Sequence, residues 1–169
     1  MACRYARADD TVGFVRTPAE LTTTFRANGL KVTPQRQLLF RLLHDNTTHP
    51  TAEGLFATAS QLMPGISLRT VYQTLIDLAA MGQLQVLQFS GGPTRFDPNL
   101  TDHHHAKCDA CGDLHDVYVP DVGSLQVSGF AGFVPQRASI MFGGLCAACQ
   151  QAPAASPHAL NTIPNKETS

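Results

Sequence analysis

The chain has 169 residues, 43% of them apolar, and its 12 Lys/Arg against 13 Asp/Glu give a formal net charge of −1. That composition excludes disorder throughout, and no apolar run approaches the roughly 18 residues a membrane-spanning helix needs. The near balance hides a small asymmetry: residues 1–98 carry nine Lys/Arg and seven Asp/Glu, residues 99–169 three and six, which suits the first half to nucleic acid and the second to cations.

Residues 1–16 show no period and read as a flexible arm, with Cys3 an inert free thiol. The opening MACRYARADD has no continuous apolar stretch, so it does not read as a secretory signal. The expected compartment is the cytoplasm, where paired cysteines stay reduced and serve metals rather than disulfides.

Four helices are predicted next. Thr17-Pro18-Ala19-Glu20 combines a capping threonine, a proline at the first helical position and a glutamate that closes a capping box; Leu21 and Phe25 supply the apolar stripe and Gly29 the stop. Thr33-Pro34 opens a second helix with Leu38, Leu39, Leu42 and Leu43 on one face. Thr51 opens a third carrying Leu55, Phe56, Ala59, Leu62 and Met63, ended by Pro64-Gly65. Ser67 caps a fourth, with Leu68, Val71, Leu75 and Leu78 at helical spacing and a stop near Gly82. Two extended runs follow, about 84–89 and 94–97, joined by the turn-rich Ser90-Gly91-Gly92-Pro93.

Short helices followed by a hairpin describe a winged helix-turn-helix over residues 17–98. The helix after Ser67 would then be the recognition element, offering Arg69, Thr70, Tyr72, Gln73 and Thr74 to phosphates or base edges. A plain helical subdomain with a solvated polar face is the alternative. Beyond residue 99, strands are expected at Asp116–Val119 and Ala138–Phe142, punctuated by glycines, in a small α/β or mostly β domain reaching 151. The overall class is α+β. Residues 152–169, rich in Ala, Pro, Ser, Asn and Thr, read as a disordered tail.

The chemistry concentrates in that second part. Cys108/Cys111 and Cys146/Cys149 form two Cys-x-x-Cys pairs, and four thiolates suit tetrahedral Zn²⁺. The 34 residues between the pairs exceed the usual zinc-ribbon spacing, so spacing alone leaves buried free cysteines or a redox pair open. In an extended stretch His103 and His105 share one face while His104 takes the other. Asp97 and Asp116 could add oxygen ligands, and a mixed nitrogen and oxygen set suits iron, manganese or nickel. His49 sits in a His-Pro turn of the helical half; a metal bridging it to His103 and His105 would tie the two halves together and act as a switch.

In order along the chain, Leu30-Lys31-Val32-Thr33-Pro34-Gln35-Arg36, His49-Pro50-Thr51-Ala52, Thr70-Val71-Tyr72, Arg95-Phe96-Asp97, His103-His104-His105 and the two cysteine pairs resemble the repressors of the ferric uptake regulator family over about residues 17–150. The resemblance implies a cytoplasmic homodimer that recognises double-stranded DNA, with residues 99–151 as its dimerisation domain and a palindromic operator expected from dimer symmetry. It further implies structural zinc at Cys108, Cys111, Cys146 and Cys149, and a regulatory metal at His49, Asp97, His103, His105 and Asp116. Tyr72, Arg69 and Lys31 fall where the family touches DNA. Aspartate at both 97 and 116 is similar to the peroxide-sensing branch, in which Fe²⁺ reacts with hydrogen peroxide and a ligating histidine, here His49 or His103, is oxidised; Mn²⁺ occupies the same site without that chemistry.

Departures from the family pattern are Ala138, where many members carry a histidine, and the stretch 121–133, whose Val, Ser and Gly make its interface helix short. Thr101 replaces a histidine of the nickel pattern. Iron, zinc and nickel regulators of the same family are the alternatives, and a His/Asp metallohydrolase and a zinc-ribbon interaction module the distant ones.

Overall fold

A computed structural model of the chain describes residues 16–89, 92–120, 128–129, 132, 134 and 138–151. The elements appear in the order α1 (Pro18–Ala27), α2 (Pro34–Leu43), α3 (Ala52–Leu62), α4 (Leu68–Ala80), β1 (Gln85–Leu87), β2 (Arg95–Asp97), β3 (His104–Cys108), β4 (Leu114–Val117), β5 (Met141–Gly144) and α5 (Ala147–Gln151). No helix among the described residues is long and apolar enough to cross a membrane. Most of the arm and all of the tail lie outside the described residues, as does most of the stretch 121–133.

The four predicted helix starts are the observed ones. Thr17 and Glu20 close a reciprocal capping box, and Thr33, Thr51 and Ser67 each accept a backbone N–H from the residue three positions on. These bonds satisfy amide groups that a helix N-terminus otherwise leaves bare. The apolar stripes of all four helices converge on one core: Leu21 and Phe25 of α1, Leu38, Leu39, Phe40 and Leu43 of α2, Leu55 and Ala59 of α3, and Val71, Leu75 and Leu78 of α4, closed by Leu84 and Phe96. Each fully buried Leu or Phe stabilises this assembly by about 1.5–3 kcal/mol.

Two details differ from the periodic reading. Phe40 is fully buried and stacks at 4.8 Å on Phe25, whereas Leu42 only packs at the edge of the core. Because α1, α3 and α4 all contact α2, its buried arc is wider than one stripe. Thr74, expected on the exposed face of α4, is completely buried and donates its hydroxyl to the Thr70 carbonyl at 2.7 Å. It lies three residues after Val71, on the core side of the helix.

β1 and β2 form the antiparallel wing, with Val86 opposite Phe96. Both strands are shorter than expected, and residues 90–91 of the connection lie outside the described residues. The second sheet runs β4-β3-β5, with β3 antiparallel to β4 and parallel to β5. Its outer strands differ from the expected Asp116–Val119 and Ala138–Phe142: β4 starts at Leu114, and β5 starts at Met141 and runs through Gly143 and Gly144. The cysteine turn sets this register. Cys108 N–H donates to Asp113 O at 2.8 Å and Asp109 N–H to Gly144 O at 2.7 Å, so Lys107 pairs with Leu114 and Cys108 with Gly144. The five-residue α5, not anticipated, follows directly from Cys146.

Candidate metal centres

The four cysteines meet at the end of the second sheet. Cys108 ends β3, Cys111 lies in the turn to β4, Cys146 follows β5, and Cys149 sits one turn into α5. All four sulfurs lie within 4.8 Å of one another, and Cys111 Sγ is 3.8 Å from Cys146 Sγ. A zinc–sulfur bond of about 2.3 Å gives a tetrahedral edge of about 3.8 Å, so the spacing fits a Cys₄ zinc. Backbone N–H groups around Cys108, from Cys111 and from Cys146 (3.3 Å), draw its thiol down to about 6. Neighbouring sulfurs instead push the Cys149 thiol up to about 12. A divalent cation would favour the thiolate form of all four sulfurs and offset two of their four negative charges.

A second cluster lies where the helical half meets the sheet. His103 directly precedes β3 and His105 lies within it, both on the same face as the alternation requires. His104 is equally buried but contributes no atom to the cluster. Asp97 ends the wing strand β2 and Asp116 lies in β4, directly opposite His105. His49 comes from the loop before α3, with a left-handed φ of 49°, an unfavourable conformation for a residue preceding proline.

These segments bring His49, Asp97, His103 and His105 within 4.8 Å of one another, and Asp116 adjoins that group at His49 and His103. His103 Nε2 is 2.9 Å from Asp97 Oδ2 and 3.0 Å from His105 Nε2; His105 Nε2 is 3.4 Å from the same Asp97 oxygen. His49 Nε2 lies 2.7 Å from Asp116 Oδ1 and 3.7 Å from Asp97 Oδ1, and His103 Nε2 lies 3.6 Å from Asp116 Oδ1. Yet His49 Nε2 and Asp116 Oδ1, both buried, have no hydrogen bond of acceptable geometry. Buried polar atoms without partners are costly, and two of them aimed at one point fit a cation. The His103 Nδ1 hydrogen donates to Thr101 O at 2.8 Å, which directs Nε2 into the cluster as in metal-ligating histidines.

The clustered groups also shift one another's proton affinity. Burial works against charge on His103, but the hydrogen bond and charge of Asp97 prevail and raise it to about 9. Burial would raise Asp97 too; its hydrogen bonds with His103 and His105 outweigh that and hold the carboxyl far below the usual range. His49 goes the other way, pushed down chiefly by burial.

Two surrounding residues carry no ligand signature: Arg95 enters the sequence reading only within the Arg95-Phe96-Asp97 motif, and Asn99 not at all. Arg95 donates to His49 O at 3.2 Å and to Gly112 O at 2.9 Å, linking the strained loop to the cysteine turn. Asn99, whose setting in Asp-Pro-Asn suggests only a turn, contacts both aspartates. In the helical half, Lys31, Arg69, Thr70 and Gln73 line one groove with Thr33, Gln35 and Arg36. Gln73 is steadied by Asp77 (2.8 Å), which also pairs with Arg36 at 2.7 Å. Tyr72 stands exposed and donates its hydroxyl to Glu53 at 2.6 Å.

The model of the ferric uptake regulator family matches residues 27–140. The peroxide-responsive repressor PerR of Staphylococcus saprophyticus is 31% identical over 130 residues, spanning 76% of this chain and 88% of that protein. The structure of the Helicobacter pylori ferric uptake regulator Fur superposes with a TM-score of 0.65 at 20% identity, over 83% of this chain and 99% of that one. A zinc-bound manganese uptake regulator gives a TM-score of 0.64 at 25% identity, over 78% and 99%. With the family model matched over residues 27–140, which include α2–α4, the wing, the His/Asp cluster and the first cysteine pair, the chain belongs to the ferric uptake regulator family, whose members are metal-responsive transcription regulators and not enzymes.

Proposed function

We propose that this protein is a cytoplasmic homodimeric repressor that binds a palindromic operator while its regulatory centre is loaded, and releases it on exposure to peroxide. The winged helix over residues 17–98 would read DNA through Lys31, Arg69, Thr70, Tyr72 and Gln73, and residues 99–151 would form the dimerisation domain, between the arm 1–16 and the tail 152–169. Cys108, Cys111, Cys146 and Cys149 would hold structural zinc. His49, Asp97, His103, His105 and Asp116 would hold Fe²⁺ or Mn²⁺, which their mixed nitrogen and oxygen donors suit.

The observation that carries this reading is the origin of the five donors. His49 belongs to the helical half, Asp97 to the wing, and His103, His105 and Asp116 to the second sheet. Their convergence makes cation binding favour one placement of the winged helix against the sheet, the differential affinity a switch needs. His49 and His103 would hold Fe²⁺, which would supply the redox chemistry towards hydrogen peroxide. In the net change one peroxide oxygen adds to the imidazole ring of His49 or His103, the two-electron reductant, and the other leaves as water. The chain's own part is to bury those imidazoles and aim their Nε2 atoms at one point.

A gel-shift titration tests the function. Operator binding should require Fe²⁺ or Mn²⁺, and peroxide should abolish it in the iron form only, with a mass gain of one oxygen on His49 or His103. Binding that survives chelation of the regulatory metal refutes the proposal. The mixed nitrogen and oxygen donors suit other ions as well, so the second reading is a metal-uptake regulator for iron, zinc or nickel, which a metal-dependent but peroxide-insensitive response would select.

A further inference from the structure

Asn99 is buried to 2% exposure between the wing and the second sheet, and every polar group it has is engaged. Its backbone N–H donates to Asp97 Oδ1 at 2.8 Å, and its backbone carbonyl accepts from Gln85 Nε2 at 2.9 Å. The side-chain oxygen accepts from the Thr101 N–H at 3.1 Å and from the Thr101 hydroxyl. Since a backbone N–H can only donate, the Thr101 contact fixes which end of the amide is oxygen. The NH₂ group must then face the other way, and it does, donating to Asp116 Oδ2 at 2.7 Å and to the Tyr118 hydroxyl oxygen at 2.9 Å.

The consequence lies in which carboxylate oxygens remain. The Asn99 backbone N–H takes Asp97 Oδ1, which lies 3.7 Å from His49 Nε2, while Oδ2 lies 2.9 Å from His103 Nε2 and 3.4 Å from His105 Nε2. Asp116 Oδ2 is taken by Asn99, and Oδ1 faces His49 and His103. We infer that Asn99 is the positioning residue of the regulatory centre: it occupies one oxygen of each aspartate, so that each carboxylate offers a single oxygen to the metal. This rests on the proposed regulatory role of the His/Asp cluster and deepens it. Partners of this outer kind orient ligands, and their loss typically weakens metal binding by about 10- to 100-fold. Through Gln85 the same residue also connects the aspartates to the wing strand β1.

The test is a Mn²⁺ titration of the full-length, zinc-retaining protein, followed by electron paramagnetic resonance of the free ion. Asn99→Leu should weaken Mn²⁺ binding by about tenfold or more. In an Asp116→Ala background, where His49, Asp97, His103 and His105 still cluster within 4.8 Å, the same substitution should cost little, because residues acting through one contact are not additive. Melting temperature and zinc content establish that each variant is folded; if Asn99→Leu does not fold, Asn99→Ala, which adds no bulk, carries the same comparison. An unchanged affinity, or an equal loss in both backgrounds, overturns the assignment of Asn99 while leaving the regulatory centre intact. If wild type and His49→Ala bind Mn²⁺ alike, the regulatory centre itself is misassigned, and this inference falls with it.

Discussion

His49 and His103 are perturbed in opposite ways, and each perturbation has a measurable consequence. His103 is held protonated up to about 9 by Asp97, and a metal must displace that proton. Apparent Mn²⁺ affinity should therefore rise with pH from about 7 to about 9 and then level off, which titrations at several pH values would show. The metal-free fold has the reverse dependence. A histidine whose folded value lies above its ordinary 6.5 adds stability fully below 6.5, and that stability disappears as pH rises through about 9. Urea midpoints of the metal-free protein should accordingly fall towards pH 9. His49 carries strain as well as chemistry, with its left-handed φ of 49° and its buried, unpartnered nitrogens. Asparagine tolerates that backbone better, so His49→Asn should raise the melting temperature of the metal-free protein, by about 1 kcal/mol in stability, while losing metal-dependent DNA binding. A fall in melting temperature would show that the loop is not strained.

At the scale of an element, α4 separates packing from recognition on its two faces. Val71, Thr74, Leu75 and Leu78 are fully buried against the other helices, while Tyr72 and Ile76 stand exposed and Arg69 and Gln73 line the groove. Leu75→Ala should cost about 2–5 kcal/mol, the usual penalty for a cavity in a close-packed core. Arg69→Ala should leave thermal unfolding within about 0.5 kcal/mol of wild type and weaken operator binding, with a shallower salt dependence if its partner is a phosphate. Thermal denaturation and fluorescence anisotropy on the same two variants separate these effects. Equal destabilisation by both would contradict the division of faces. The capping residues act at this scale too, which is why helix starts at Thr17, Thr33, Thr51 and Ser67 were readable from local chemistry alone.

In the whole molecule, the described contacts between the helical half and the second sheet centre on the atoms of the candidate site. Besides the clustered donors, Arg95 joins His49 O to Gly112 O, and Asn99 joins Gln85 of β1 to Asp116 of β4. Replacing Cys146 by serine should therefore abolish Mn²⁺ binding, because the cysteine turn sets the register of the strands that carry His105 and Asp116. Most helical circular dichroism should persist, since α1–α4 bury a core of their own. Coincident loss of helix and Mn²⁺ binding would instead mean that the halves fold as one cooperative unit. The sequence by itself determined the capped helices, the cysteine pairs and the shared face of His103 and His105, because capping, ligand spacing and strand alternation act within a few residues. It did not determine the limits of β4 and β5, the burial of Phe40 and Thr74, or the contacts of Arg95 and Asn99. Those depend on partners far apart in the chain: Cys108 against Gly144, α2 among three helices, and Asn99 between Asp97 and Asp116. Above all, only the tertiary structure aims His49, from a strained loop, at carboxylates 48 and 67 positions further on, because which oxygen faces which nitrogen depends on how the winged helix packs against the sheet.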